Sequence, residues 1–120
     1  MKLNTKGDIT MITILPEYTL DGGSFTLYED GKKLAKCIYE AAPGRGEITE
    51  LIFDEGCKFS RIDGVVRAVL NSLDLRGVTT VTCKNKKIFP ELEKVGFTVK
   101  EEIAAINTTE FFDQPCHGQE

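Results

Sequence analysis

Four thiols, one imidazole and a few carboxylates are the groups in this chain able to carry covalent or proton chemistry. The cysteines are Cys37, Cys57, Cys83 and Cys116, and His117 is the sole histidine. A thiol becomes a nucleophile when a neighbouring base or positive charge lowers its pKa. No histidine lies near Cys57 or Cys83 in sequence, so Cys83 reads as a small buried residue and Cys57 as an exposed loop thiol. The cysteines stand about twenty or more residues apart and form no Cys-x-x-Cys pair, which argues against a zinc ribbon. Cys116 and His117 could share a metal ion, but they fall in a polar tail, 113–120, of the kind that is usually disordered. Among the carboxylates, Glu47 and Glu50 sit on an apolar strand candidate. Glu50 lies between Thr49 and Leu51, where partial burial would raise its pKa toward a range useful for proton transfer.

The elements that must position these groups are legible from pattern. Ile9 to Leu15 is a strand candidate stopped by Pro16, followed by a turn-rich link, Glu17 to Gly23. Ser24 to Glu29 alternates, Asp30-Gly31 is a two-residue hairpin signal, and Lys32 to Ala41 pairs back. Ala42 to Gly46 is a second turn, and Glu47 to Phe53 is an apolar, central strand. Ser60 to Asp74 places Ile62, Val65, Val66, Val69, Leu70 and Leu73 on one helical face. Ser60-x-x-Asp63 has the form of a capping box, and Gly77 closes the helix. Val78 to Cys83 alternates as a strand. The segments 47–53, 60–75 and 78–83 therefore make a βαβ unit with a parallel strand pair.

The stretch Asn85 to Phe97 then reads as a strand exit, a short helix with Pro90 near its start and Ile88, Leu92 and Val95 at helical spacing, a glycine stop at Gly96, and a new strand from Phe97. This strand–helix–Glu-Lys-Val-Gly-Phe–strand run resembles the C-terminal half of the GNAT (Gcn5-related N-acetyltransferase) superfamily, and Asn85 stands where that family often carries an Asn. The order β-β-β-β-α-β-α-β agrees with the family over roughly residues 9–103. The two helices that the family places between its first two strands are missing. The fold class expected is α/β (α+β): a GNAT-like mixed central sheet of about six strands with two main helices, in a single domain over residues 1–112.

That resemblance implies a coenzyme A site. The family holds the pyrophosphate with Arg/Gln-x-x-Gly-x-Gly/Ala at the helix after its fourth strand, where exposed backbone N–H groups and the helix dipole attract an anion. The matching run is Arg61-Ile62-Asp63-Gly64-Val65-Val66. Val66 replaces the final small residue, and Asp63 puts a carboxylate where the anion belongs. The resemblance thus names Phe53, Lys58, Arg61, Ile62, Asp63, Gly64, Val65, Val66, Asn85 and Lys86 as coenzyme A contacts, with Lys84 and Lys87 near the nucleotide end. It implies acetyl transfer from acetyl-CoA to an amine, with Glu50 as general base. The tyrosine that commonly protonates the leaving thiolate is replaced by Leu92. In such a site Cys57 or Cys83 could also accept an acyl group. A GNAT-fold module without catalysis, binding coenzyme A, another ligand or a protein, is the alternative.

Composition limits the remaining possibilities. The net charge of −4 argues against a nucleic-acid partner. The chain carries no apolar run long enough for a membrane span and no apolar signal core, so a soluble, cytoplasmic protein is expected. The acceptor is expected to be a small-molecule or peptide amine. A homodimer is expected if the shortened first crossover leaves apolar surface uncovered.

Overall fold

Alternating residues and tight turns fold the first half of the chain into an antiparallel meander. The computed structural model describes residues 10–113. Strands β1 (Ile12–Thr19), β2 (Gly22–Glu29), β3 (Lys32–Ala42) and β4 (Arg45–Phe53) follow one another. Asp30 (φ 52°) and Gly31 (φ 84°) make the β2–β3 turn, the left-handed pair that a two-residue hairpin requires. Helix α1 (Phe59–Leu75) crosses to β5 (Thr80–Cys83), which lies parallel to β4. A 3-10 turn (Lys86–Ile88) leads into α2 (Phe89–Val95), then β6 (Thr98–Lys100), β7 (Ile103–Asn107) and α3 (Thr108–Asp113). The sheet has seven strands in the order β1-β2-β3-β4-β5-β7-β6.

Three expectations are corrected. Pro16 does not stop β1 but lies within it. The Asp30 amide donates to Met11 O, so odd-numbered β1 residues bond to β2 and even-numbered ones face outward. The nitrogen of Pro16 therefore points away from the sheet, where its missing hydrogen leaves no ladder bond unmade. The link from Glu17 to Gly23 contracts to a turn at Leu20 and Asp21, so β1 and β2 are direct neighbours with no helix between them. The sheet also gains a strand over the six expected: β7, reached through a tight turn at Glu101 (φ 58°), inserts between β5 and β6.

The helices cover one face of the sheet. Leu27, Cys37, Tyr39, Ile48, Val81, Cys83 and Ala104 point toward them and are buried. Helix α1 lies across β2 and β3 and touches α2 and α3, burying the six side chains expected of its apolar face. Gly46 permits its close approach, since a Cβ there would stand 2.7 Å from Leu73 Cδ1. At the far end of α1, the Gly77 (φ 85°) amide donates to Asp74 O and the Val78 amide to Leu73 O, closing the last turn. On the opposite face Glu40, Glu50, Ile52 and Thr80 are exposed, with no helix over them among the described residues.

Candidate functional site

The site begins where the parallel ladder between β4 and β5 ends. The two strands pair at Arg45↔Thr80, Gly46↔Val81 and Glu47↔Thr82, and no further, although β4 continues to Phe53. Directly beyond, β4 carries a bulge: Tyr39 opposes Ile48 and Ile38 opposes Glu50, leaving Thr49 as the extra residue. Its hydroxyl donates to Ile38 O at 3.2 Å, and its carbonyl accepts from Asn85 Nδ2 at 3.1 Å. Asn85 follows β5, so this bond crosses the gap between the strands. Its Oδ1 accepts from the Lys87 amide at 3.2 Å and caps the 3-10 turn.

The tip of α1 follows β4 through the loop 54–58 and meets α2. Lys94 of α2 places its ammonium 5.6 Å from the centre of the Phe59 ring, which sets α2 beside the first residue of α1. Lys58 is the N-cap, in extended conformation, and no side chain caps the helix. The amides of Arg61 and Ile62 both turn back to Lys58 O. Those of Phe59 and Ser60 meet no acceptor among the described residues, and the positive end of the helix dipole lies with them. The arrangement is a split between two strands, with an uncapped helix N-terminus following β4 through the loop 54–58.

The residues expected at the cofactor divide between this gap and elsewhere. Asn85 borders the gap, with Glu50 and the half-buried Phe53 on the unpaired length of β4. Lys86 instead pairs with Glu102 at 3.0 Å in an exposed contact. Arg61 turns to β2, its Nε 3.0 Å from Glu29 Oε1. Together with Lys58 and Cys57 it lines a depression of about 260 Å3 to which neither β5 nor α2 contributes. Gly64, Val65 and Val66 lie in the second turn, where helix geometry commits their amides to carbonyls one turn back. Ile62, Val65 and Val66 are core residues, and the missing Cβ of Gly64 faces Leu27 and Ile14. The Ser60–Asp63 cap does not form, because α1 already begins at Phe59; Asp63 accepts from Arg67 Nε at 2.7 Å instead. The carboxylate expected to oppose an anion is thereby neutralised on the helix flank.

The expected catalytic groups are also relocated. Glu50 is exposed at the solvent edge of β4 rather than partly buried. Leu92 is fully buried in the core. Cys83 is buried at the end of β5, its thiol pKa raised first by burial and then by the carboxylates of Glu47 and Glu50, against an opposing hydrogen bond from the Asn85 backbone. Burial, then Asp54, also raises the Cys57 thiol. Neither is an activated nucleophile. Among the described residues no three His, Cys, Asp or Glu side chains gather as a metal site, and Cys116 and His117 lie outside those residues. Sequence reasoning missed Thr49, Phe59 and Ser60 as parts of the site. Only the start of the apolar helical pattern could have signalled the last two.

No protein-family model matches the sequence, and no curated protein matches it. Solved structures do match in three dimensions. The ribosomal-protein-S18-alanine N-acetyltransferase from Escherichia coli superposes with a TM-score of 0.66 at 14% identity, covering 83% of this chain and 94% of that one. A structure assigned to the GNAT family from Desulfovibrio desulfuricans gives 0.62 at 14% identity, covering 73% and 70%. The chain has the GNAT fold. A further GNAT-like neighbour, the PaiA N-acetyltransferase from Thermoplasma acidophilum in complex with coenzyme A, gives 0.64 at 14% identity, over 73% of this chain and 62% of that one. Within this GNAT fold the crossover between the first two strands is reduced to a turn. Among the described residues no helix is long and apolar enough to cross a membrane.

Proposed function

We propose that this protein is an acyl-CoA-dependent N-acyltransferase, moving an acetyl group from acetyl-CoA to a small-molecule or peptide amine. The observation that carries the reading is the parting of β4 and β5 after three residue pairs, beside a helix tip with unpaired amides. A pantetheine arm is a slender amide chain, able to lie along the unpaired backbone of β4 as a further strand would. The Phe59 and Ser60 amides suit a pyrophosphate. On this reading the anion meets the first two helical amides rather than Arg61–Val66.

Acyl transfer needs an amine freed of its proton, polarisation of the thioester carbonyl, and a proton for the departing thiolate. Glu50 and Glu47 stand on β4 at the opening and are the carboxylates placed to accept the amine proton, directly or through water. Backbone N–H groups of β4 beyond the bulge are fixed donors of the kind that stabilise a developing oxyanion. With Leu92 in the core, the C–S bond breaks with the proton reaching the thiolate from solvent or from the attacking nitrogen of the tetrahedral intermediate, which leaves as the neutral amide. The test is calorimetric titration with acetyl-CoA, followed by thiol release with a broad amine panel. Saturable binding and amine-dependent thiol release are expected; no binding at millimolar ligand overturns the reading.

A second reading has its own support. Leu92 is buried and Glu50 stands in solvent, so neither usual proton carrier is held in place. A non-catalytic GNAT-fold module that binds coenzyme A, another ligand or a protein would show acetyl-CoA binding without transfer, or no binding at all.

A further inference from the structure

We infer that Asn85 is the strut that holds the gap between β4 and β5 at a fixed width, a positioning residue rather than a coenzyme A contact. The role of the gap as a thioester channel rests on the function proposed above; the strut itself does not. Thr49 is the extra residue of the bulge and is half-buried, and a carbonyl left there without a partner is unfavourable. Asn85 supplies the partner from across the gap with a side-chain amide, at 3.1 Å. A rung made by a side chain keeps two backbones farther apart than one made by main-chain groups, so the strands are tied without being zipped.

The same side chain is anchored at its other end. Asn85 Oδ1 accepts from the Lys87 amide at 3.2 Å, and the Asn85 amide itself lies 3.4 Å from Cys83 Sγ. Both amide functions of one residue are therefore used, one on β4 and one on the turn that starts α2. The bulge in β4 and the entry to α2 are coupled through four side-chain atoms. One side chain thus links the entry of α2 to Thr49, the residue next to Glu50.

The two functions separate by substitution. Asn85→Asp keeps an oxygen to cap Lys87 but places an acceptor against the Thr49 carbonyl, which repels it. Asn85→Ala removes both bonds. Amide hydrogen exchange on the unliganded protein reads the strut directly. Asn85→Asp should speed exchange of the β4 amides from Thr49 to Leu51 at least tenfold and lower the melting temperature modestly, while leaving exchange of the Lys87 amide near that of the parent. Asn85→Ala should speed both sites. In calorimetry Asn85→Asp should weaken acetyl-CoA binding at least tenfold. Unchanged exchange at 49–51 in Asn85→Asp overturns the strut. Changed exchange with unchanged acetyl-CoA affinity overturns its positioning role. If the parent protein itself fails to bind acetyl-CoA, the proposed function falls, and the exchange result still decides the strut.

Discussion

Arg61 of helix α1 reaches Glu29 of strand β2, Nε to Oε1 at 3.0 Å, and so leans away from the gap between β4 and β5. The two side chains retain 23% and 32% of their exposure, so solvent screens much of the attraction. Arg61→Ala should therefore cost only about 0–1 kcal/mol of stability. Acetyl-CoA affinity should change by less than about threefold if, as proposed, the helix-tip amides and not the guanidinium hold the anion. Denaturant melts and calorimetry check both values. A large loss of affinity would return Arg61 to the cofactor.

Gly64 provides a sharper contrast between the sequence motif and the fold. A Cβ there would lie 3.5 Å from Leu27 Cδ1, in ordinary contact, within an α-helix. Gly64→Ala should stabilise the protein by up to about 1 kcal/mol through helix propensity. It should leave acetyl-CoA binding unchanged. Were Gly64 packed against a phosphate, the same methyl group would abolish binding.

The helix tip is tested by Phe59. Proline suits the first helical position, and Lys58 before it already has the extended conformation that a following proline requires (φ −68°, ψ 144°). Phe59→Ala removes the ring and its contact with Lys94; Phe59→Pro removes the ring and the amide. The proline variant should bind acetyl-CoA several-fold more weakly than the alanine variant at similar melting temperature. Equal affinities would show that the tip does not hold the pyrophosphate.

Restoring the family's tyrosine should fail. Leu92 is fully buried, so Leu92→Tyr inserts extra volume and a hydroxyl into a packed core. A loss of about 1–3 kcal/mol is expected from overpacking alone. No gain in acetyl transfer should accompany it. A thermal melt and a transfer assay on the same preparation decide the matter.

The thiols predict a pH dependence. Cys37 and Cys83 have pKa values raised chiefly by burial, above the ordinary 9.0. Unfolding would expose both and return them to that ordinary value. Below it both states hold the protons and the folded state keeps its full advantage. As pH rises past it the unfolded state loses protons first, so stability falls, by up to about 1.4 kcal/mol per pH unit for each thiol. Urea melts between pH 7 and pH 10 should show the decline, and Cys37→Ala should make it shallower. Of the three described thiols, alkylation at neutral pH should reach Cys57 first and Cys37 only on unfolding.

Much of this was legible in the chain. The apolar spacing of α1, the Asp30-Gly31 hairpin, the glycine stops at Gly77 and Gly96, and the parallel crossover are each set by local chemistry. What failed to show depends on distant partners. The Ser60-x-x-Asp63 pattern has the letters of a cap, but Phe59 packs on the core and starts the helix early, while Arg67 claims the carboxylate. The bulge at Thr49 carries no glycine to mark it. Strand β7 is short and alanine-rich, and the turn before it uses Glu101 at φ 58° where a glycine would have announced a hairpin. Pro16 read as a breaker because sequence alone does not reveal that β1 is the last strand of the sheet.

That same proline has an effect beyond the single molecule. Along the outer flank of β1, where no other described strand pairs, it deletes one hydrogen-bond donor from the middle of the row. An incoming extended peptide would meet a missing rung between Ile14 and Tyr18, and the ring would crowd its backbone. Among the described strands this edge is thus a poor template for fibril growth, since a copy of the chain adding there would lose a rung and meet the ring.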